Sequence, residues 1–212
     1  MNLKNFIRSI PDYPKKGILF RDITTLIKDE KAFAESVNQI SEISKKYKID
    51  KIAAIESRGF VFASAVSYLL KKPFILLRKK NKLPAETYSV DFELEYGKAT
   101  IEVHKDSIDK NDSVLIIDDL IATGGTAIAA AKLVEMSGGK VAAFIFAINL
   151  FDLGGCDNLI KKGYLVDNLM EFPGHWYFES TLYHDFLPII EFNKPKNLHL
   201  YLFFILLFII IA

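Results

Sequence analysis

Residues 114 to 136 read VLIIDDLIATGGTAIAAAKLVEM, and no other stretch limits the possible folds so tightly. An apolar run suited to a buried strand ends in two adjacent carboxylates, Asp118 and Asp119. A small polar loop, Thr123 to Thr126, follows and opens into an alanine-rich helix. Gly124 and Gly125 let the backbone bend tightly and leave its amides open to a ligand. Thr123 and Thr126 add hydroxyls, and the helix start adds free amides and the positive end of a dipole. This suits a phosphate monoester. No lysine follows the glycines, so it is not a Walker loop, and it is not a GxGxxG turn. Two carboxylates beside a bare phosphate would repel it. A sugar phosphate removes the conflict, because vicinal hydroxyls offer donors to the carboxylates. The bland alternative, an ordinary strand-to-helix turn with a capping aspartate, would suffice for TGGT alone but not for the whole stretch.

The rest of the chain supplies a matching frame. Helical spacing of Phe33, Val37, Ile40 and Ile43 predicts a helix over 31–48. KIAAI (51–55), PFILLR (73–78), SVLIID (113–118), KVAAFIFAINL and YLVDNLM read as strands, with helices at FVFASAVSYLL (60–70), over TAIAAAKLVEM and, briefly, before YLVDNLM. The glycines after Met136 read as a helix cap. Alternating strands and helices imply a mainly parallel sheet covered on both faces. Residues 79–107 differ: they are charged and alternate apolar with polar, a two-stranded excursion beside a mobile loop. Ligands bind at the carboxyl ends of such parallel strands. ESRG, RKKNKLP and DDLIATGGT all fall there.

Other candidates are weaker one by one. Arg58 in ESRGF is a forked donor for phosphate oxygens, with Ser57 and Gly59 small enough to admit a ligand. A plain Glu56–Arg58 surface pair accounts for it equally well. Arg78, Lys79, Lys80 and Lys82 form either a solvated face or a cationic lid over a polyphosphate. Glu95 lies beyond them as an acid or base, and spacing alone does not select it over Glu86 or Glu93. Phe20, next to Arg21, could stack on a planar base or be core. The four histidines lack metal-ligand spacing, so no protein-held metal is expected.

Charge is balanced, 27 basic against 26 acidic side chains, which gives no reason to expect nucleic acid as partner. The single cysteine, Cys156, rules out an internal disulfide framework and fits a reducing, cytoplasmic setting. The start of the chain lacks the apolar core of a secretory signal. Residues 198 to 212, LHLYLFFILLFIIIA, fall short of the roughly 17–25 residues of a membrane span. They read as a marginal anchor, a terminal helix packed on a partner, or an accidental extension, with a peripheral role preferred to spanning.

YPKKGILFRDIT, IESRGF, LLRKKNKLPAET, LEYGKA, VLIIDDLIATGGT, INLFDLGG and FPGH together resemble the adenine phosphoribosyltransferase family, from about Ile10 to His175. VLIIDDLIATGGT is similar to phosphoribosyltransferases in general; the Phe-Arg-Asp, LEYG and FDLGG segments narrow it to the adenine type. The resemblance implies the type I phosphoribosyltransferase fold, an open twisted α/β sheet with a small hood and a flexible two-stranded lid at about 79–104. It implies one domain over 1–175, followed by an atypical extension over 176–212. It implies that adenine and 5-phosphoribosyl 1-pyrophosphate give AMP and pyrophosphate, with Mg2+ carried on the substrate, in a homodimer. Ala122, Thr123, Gly124, Gly125 and Thr126 would hold the 5′-phosphate. Asp118 and Asp119 would face the ribose hydroxyls. Ser57, Arg58, Arg78, Lys79 and Lys82 would contact pyrophosphate. Phe20 would stack on adenine while the backbone of Leu19 and Arg21 reads its edge. Glu95 and Tyr96 match the family's Glu-Tyr pair in the lid, with Glu95 the proton-handling candidate.

Three rivals remain. A transferase for another base would share the sugar-phosphate machinery. A non-catalytic sensor of phosphoribosyl pyrophosphate that regulates transcription would want a DNA-reading domain. A tail-anchored binding module would need the apolar end to insert.

Overall fold

Strands that are apolar on both faces need cover on both sides, and this requirement organises the molecule. The computed structural model describes residues 1–94 and 97–174. Glu95, Tyr96 and the extension over 175–212 lie outside the described residues. In chain order the elements are β1 (Arg8–Pro11), β2 (Leu19–Asp22), α1 (Thr24–Ile27), α2 (Glu30–Ser44), β3 (Lys51–Ile55), α3 (Gly59–Leu70) and β4 (Phe74–Lys79). Then come β5 (Thr87–Leu94), β6 (Gly97–His104), β7 (Ser113–Ile121), α4 (Gly125–Met136), β8 (Lys140–Leu150), α5 (Gly155–Lys161) and β9 (Val166–Phe172).

Seven strands form one sheet in the order β5-β6-β4-β3-β7-β8-β9. β4, β3, β7, β8 and β9 run parallel; β5 and β6 join antiparallel at one edge. Alternate residues of each strand feed opposite layers. Ile52, Ala54, Leu115 and Ile117 pack with Phe62 and Val66 of α3 and with Val37 and Ile40 of α2. Ala53, Ile55, Val114 and Ile116 pack with Ala130, Leu133 and Val134 of α4. Each fully buried Val, Leu, Ile or Phe among them contributes about 1.5–3 kcal/mol. From β3 the chain crosses through α3 to β4 on one side; from β7 it crosses through α4 to β8 on the other. The strand order therefore reverses between β3 and β7, where a sheet of this kind opens a crevice at its carboxyl edge.

The two-stranded excursion is present: β5 and β6 pair from Thr87↔His104 to Leu94↔Gly97. Tyr88, Val90 and Phe92 of β5 pack on the α4-side core. The glycines after α4 cap it, with Gly138 at φ 90° and the Gly139 N–H donating to the Val134 carbonyl at 3.0 Å.

Some boundaries differ from the sequence reading. β7 does not stop at Asp118 but runs through both aspartates to Ile121, because β8 is long enough to pair with Leu120 and Ile121. α2 ends at Ser44 rather than 48; beyond it Lys46 Nζ reaches Asp167 of β9 at 3.2 Å and the Tyr47 hydroxyl donates to the same carboxylate. The last strand is Val166–Phe172, two residues later than expected at each end. The antiparallel pair β1–β2 was not foreseen. It forms its own two-stranded sheet with no ladder to the large one, and this is the small hood. Asp12 (φ 55°) and Gly17 (φ 89°) turn the connecting loop, which the Gly17 N–H closes by donating to Asp12 Oδ1 at 2.7 Å. Among the described residues no helix is long and apolar enough to cross a membrane.

Candidate active site

The crevice at the β3–β7 reversal is a cleft of about 690 Å³. Every residue from Ala122 to Thr126 lines it. Gly124 takes φ 88° just ahead of α4, a conformation glycine adopts freely. The back of this loop rests on the start of α5. A Cβ on Gly155 would lie 2.3 Å from the Ala122 carbonyl oxygen, and Asn158 Nδ2 donates to the Thr123 carbonyl at 3.2 Å. The loop is thus held from behind by a close backbone contact that only glycine permits. Gly155→Ala is expected to destabilise the protein by about 1–3 kcal/mol through overpacking, read as a lower Tm; an unchanged Tm would mean that the loop yields freely.

Asp118 and Asp119 also line the cleft. Asp119 is 4% exposed, and its N–H donates to Asp118 Oδ1 at 2.9 Å. Burial, then the Asp119 charge, pushes the Asp118 carboxyl well above the usual carboxylate range. Burial raises Asp119 too, against the opposing pull of Arg58. Arg58 Nε lies 3.0 Å from Asp119 Oδ2, but not aligned as a hydrogen bond, so that buried oxygen has no donor among the described residues. Gly59 makes room for the pair: a Cβ there would sit 2.6 Å from Asp118 Oδ1.

Ser57 and Arg58 face the same cleft, after a cis Glu56–Ser57 peptide. The Glu56–Arg58 surface pair does not form. Glu56 Oε2 accepts from Arg78 Nε at 3.0 Å and from the Lys79 N–H at 3.1 Å. Burial alone would raise the Glu56 carboxyl; those two donors bring it below its usual range. Arg58 is left to span Asp119 and the Phe20 ring, whose centroid is 5.5 Å from the guanidinium carbon. Lys79 lines the cleft. Arg78 is occupied by Glu56 and by the Lys82 carbonyl at 3.1 Å, and Lys82 is exposed outside the cleft lining.

Leu19, Phe20 and Arg21 of the hood complete the lining with Leu150, Leu153 and Gly174. Phe20 is only half-buried and meets Tyr13 edge-on, 5.2 Å between centroids at 74°. Glu95 and Tyr96 lie outside the described residues.

A phosphoribosyl transferase domain model matches residues 24–158. An adenine phosphoribosyltransferase of Pelagibacter ubique is 86% identical over 175 residues, 82% of this chain and 100% of that protein. The chain belongs to the adenine phosphoribosyltransferase family. The fold of the family agrees: the crystal structure of the adenine phosphoribosyltransferase of Thermoanaerobacter pseudethanolicus superposes with TM-score 0.77 at 48% identity, covering 80% of this chain and 98% of that one. The Saccharomyces cerevisiae adenine phosphoribosyltransferase, solved with adenine and an imino-altritol bisphosphate, gives 0.73 at 34%, covering 79% and 96%. Three supports of this cleft have partners that the sequence does not show: Glu56 braces the cationic segment through Arg78, Gly59 lies beside Asp118, and Gly155 lies behind the loop from Ala122 to Thr126. Glu56 and Gly59 stand in IESRGF and Gly155 in FDLGG, but the sequence reading pairs Glu56 with Arg58 and gives Gly59 only to ligand access.

Proposed function

We propose that the chain transfers the 5-phosphoribosyl group of 5-phosphoribosyl 1-pyrophosphate to adenine, giving AMP and pyrophosphate in purine salvage. One observation carries the reading: an anion loop, a carboxylate pair and a half-buried aromatic ring open into a single cleft. Ala122 to Thr126 take the 5′-phosphate through loop amides and the α4 dipole. Asp118 and Asp119 accept from the ribose hydroxyls. Ser57, Arg58 and Lys79 take the pyrophosphate. Arg78 and Lys82 join them only if Arg78 leaves Glu56. Phe20 stacks on the base, the Leu19 and Arg21 backbone reads its edge, and Glu95 takes the base proton with Tyr96 beside it in the lid.

In the reaction the bond from the anomeric carbon to pyrophosphate breaks and a bond to a ring nitrogen of adenine forms. Positive charge builds on the sugar between these events, giving an oxocarbenium-like transition state. The carboxylates hold that sugar in place and Arg58 and Lys79 face the departing anion. Asp119 Oδ2, buried with no hydrogen-bond donor among the described residues, would suit a magnesium ion carried on the donor substrate, which would supply positive charge to offset the pyrophosphate. Lid closure keeps water from replacing adenine. The domain spans 1–175, acts as a homodimer and resides in the cytoplasm; the extension over 176–212 stays outside the chemistry.

The test is direct. Protein, magnesium and phosphoribosyl pyrophosphate are incubated with adenine, hypoxanthine, guanine or orotate. AMP and pyrophosphate from adenine alone are expected. Nucleotide from another base instead would reassign the specificity; donor binding without any nucleotide would turn the reading to a sensor.

A further inference from the structure

Arg21 stands in the base subsite, yet its side chain serves another purpose. The residue contributes to the cleft lining, while it is only 6% exposed overall. Its Nη2 donates to the Pro173 carbonyl at 2.9 Å and its Nη1 to the Ser9 hydroxyl. The guanidinium carbon lies 4.6 Å from the Phe172 ring centroid. The Asp152 carboxylate attracts it electrostatically. Asp152 in turn accepts the Gly174 N–H at 2.6 Å, and Gly174 lines the cleft. A Cβ on Gly174 would meet Leu153, another lining residue, at 2.8 Å.

These contacts join two segments that are far apart in the chain. β2 carries Leu19 and Phe20; the turn after β9 carries Pro173 and Gly174. Among the described residues no strand ladder links the hood to β9, and the Arg21 side chain spans the two segments. A planar base needs a subsite of fixed width, and a misplacement of about 1 Å is costly in an active site.

We propose that the Arg21 side chain is a positioning residue for the base: a buried brace that fixes the adenine-reading strand against the Pro173–Gly174 segment. The inference rests on the proposed adenine site and assigns the side chain a task distinct from the backbone contact. Arginine suits it, because a planar fork donates in two directions while its face lies on an aromatic ring. Lysine offers a point charge without the fork. The brace holds even though Arg21 Nε is buried with no hydrogen-bond partner among the described residues, a cost that an incidental surface arginine would not carry.

The experiment compares the parent with Arg21→Met, Arg21→Lys and Ser9→Ala, measuring KM for adenine, KM for phosphoribosyl pyrophosphate, kcat and Tm. Arg21→Met is expected to raise the adenine KM about tenfold or more, the scale of one lost charged hydrogen bond, with the donor KM within about twofold. Arg21→Lys should fall between, and Ser9→Ala should raise the adenine KM by a smaller factor at unchanged Tm. If Arg21→Met does not fold, the other two variants decide. An unchanged adenine KM in both, or equal changes in both substrates' KM, overturns the brace. Failure of the parent to make AMP would instead overturn the functional reading.

Discussion

Replacing Asp119 with asparagine should lower kcat/KM for phosphoribosyl pyrophosphate by on the order of 10²–10³, the cost of removing one preorganised electrostatic contact, while leaving the fold intact. Asparagine keeps the volume of this 4%-exposed side chain but replaces one charged carboxylate oxygen with a neutral NH2 donor. Arg58, 3.0 Å away, loses its ion partner, and Oδ2 no longer offers a free acceptor charge to the sugar. The stability effect should have the opposite sign. Asp118 has a folded-state pKa raised by burial and by the Asp119 charge. Its contribution to stability is full below the usual carboxylate pKa and is lost as pH rises through the raised value. Near neutral pH the paired carboxylates therefore strain the empty protein, and Asp119→Asn should melt no lower than the parent. Steady-state kinetics and melting at pH 7 check both parts. Normal turnover would remove Asp119 from the site; a sharp fall in Tm would make it structural.

The second large effect concerns the base alone. Phe20→Ala should raise the adenine KM by roughly 5- to 150-fold, corresponding to about 1–3 kcal/mol for a base stacked on an aromatic ring. Phe20 is not core: it is half-buried, meets Tyr13 at its edge and faces the cleft. Binding of phosphoribosyl pyrophosphate, measured calorimetrically without adenine, should stay within about twofold, since one cation–π contact to Arg58 is a small loss. Parallel loss of donor binding and Tm would show instead that the ring serves packing.

A feature of this protein is legible in its sequence to the extent that it is local. VLIIDDLIATGGT is legible because strand, loop and helix follow one another and each leaves its own pattern; only the strand's continuation beyond Asp118, through Asp119 to Ile121, escapes it, since that depends on pairing with β8. The hood is expected only through the family resemblance; its two strands leave no pattern of their own, because they have four residues each, too few for periodicity. Arg58 was ambiguous because sequence spacing offers Glu56 as neighbour, whereas the fold gives Glu56 to Arg78 on the adjacent strand. Gly59 and Gly155 owe their identity to contacts with Asp118 and Ala122, which no local reading reaches. Arg21 was singled out for its backbone; its side-chain partners, Ser9 and Pro173, lie on other segments.

The separateness of the two-stranded sheet has a bearing on how such proteins change over generations. The residues proposed to hold the sugar phosphate ride on the large parallel sheet, where one altered strand disturbs its neighbours. Phe20 and its flanking residues ride on a sheet that shares no ladder with it and is tied down mainly by side chains. A substitution there leaves every ladder of the large sheet in place, so the proposed base side of the cleft can vary while the proposed sugar-phosphate side keeps its frame.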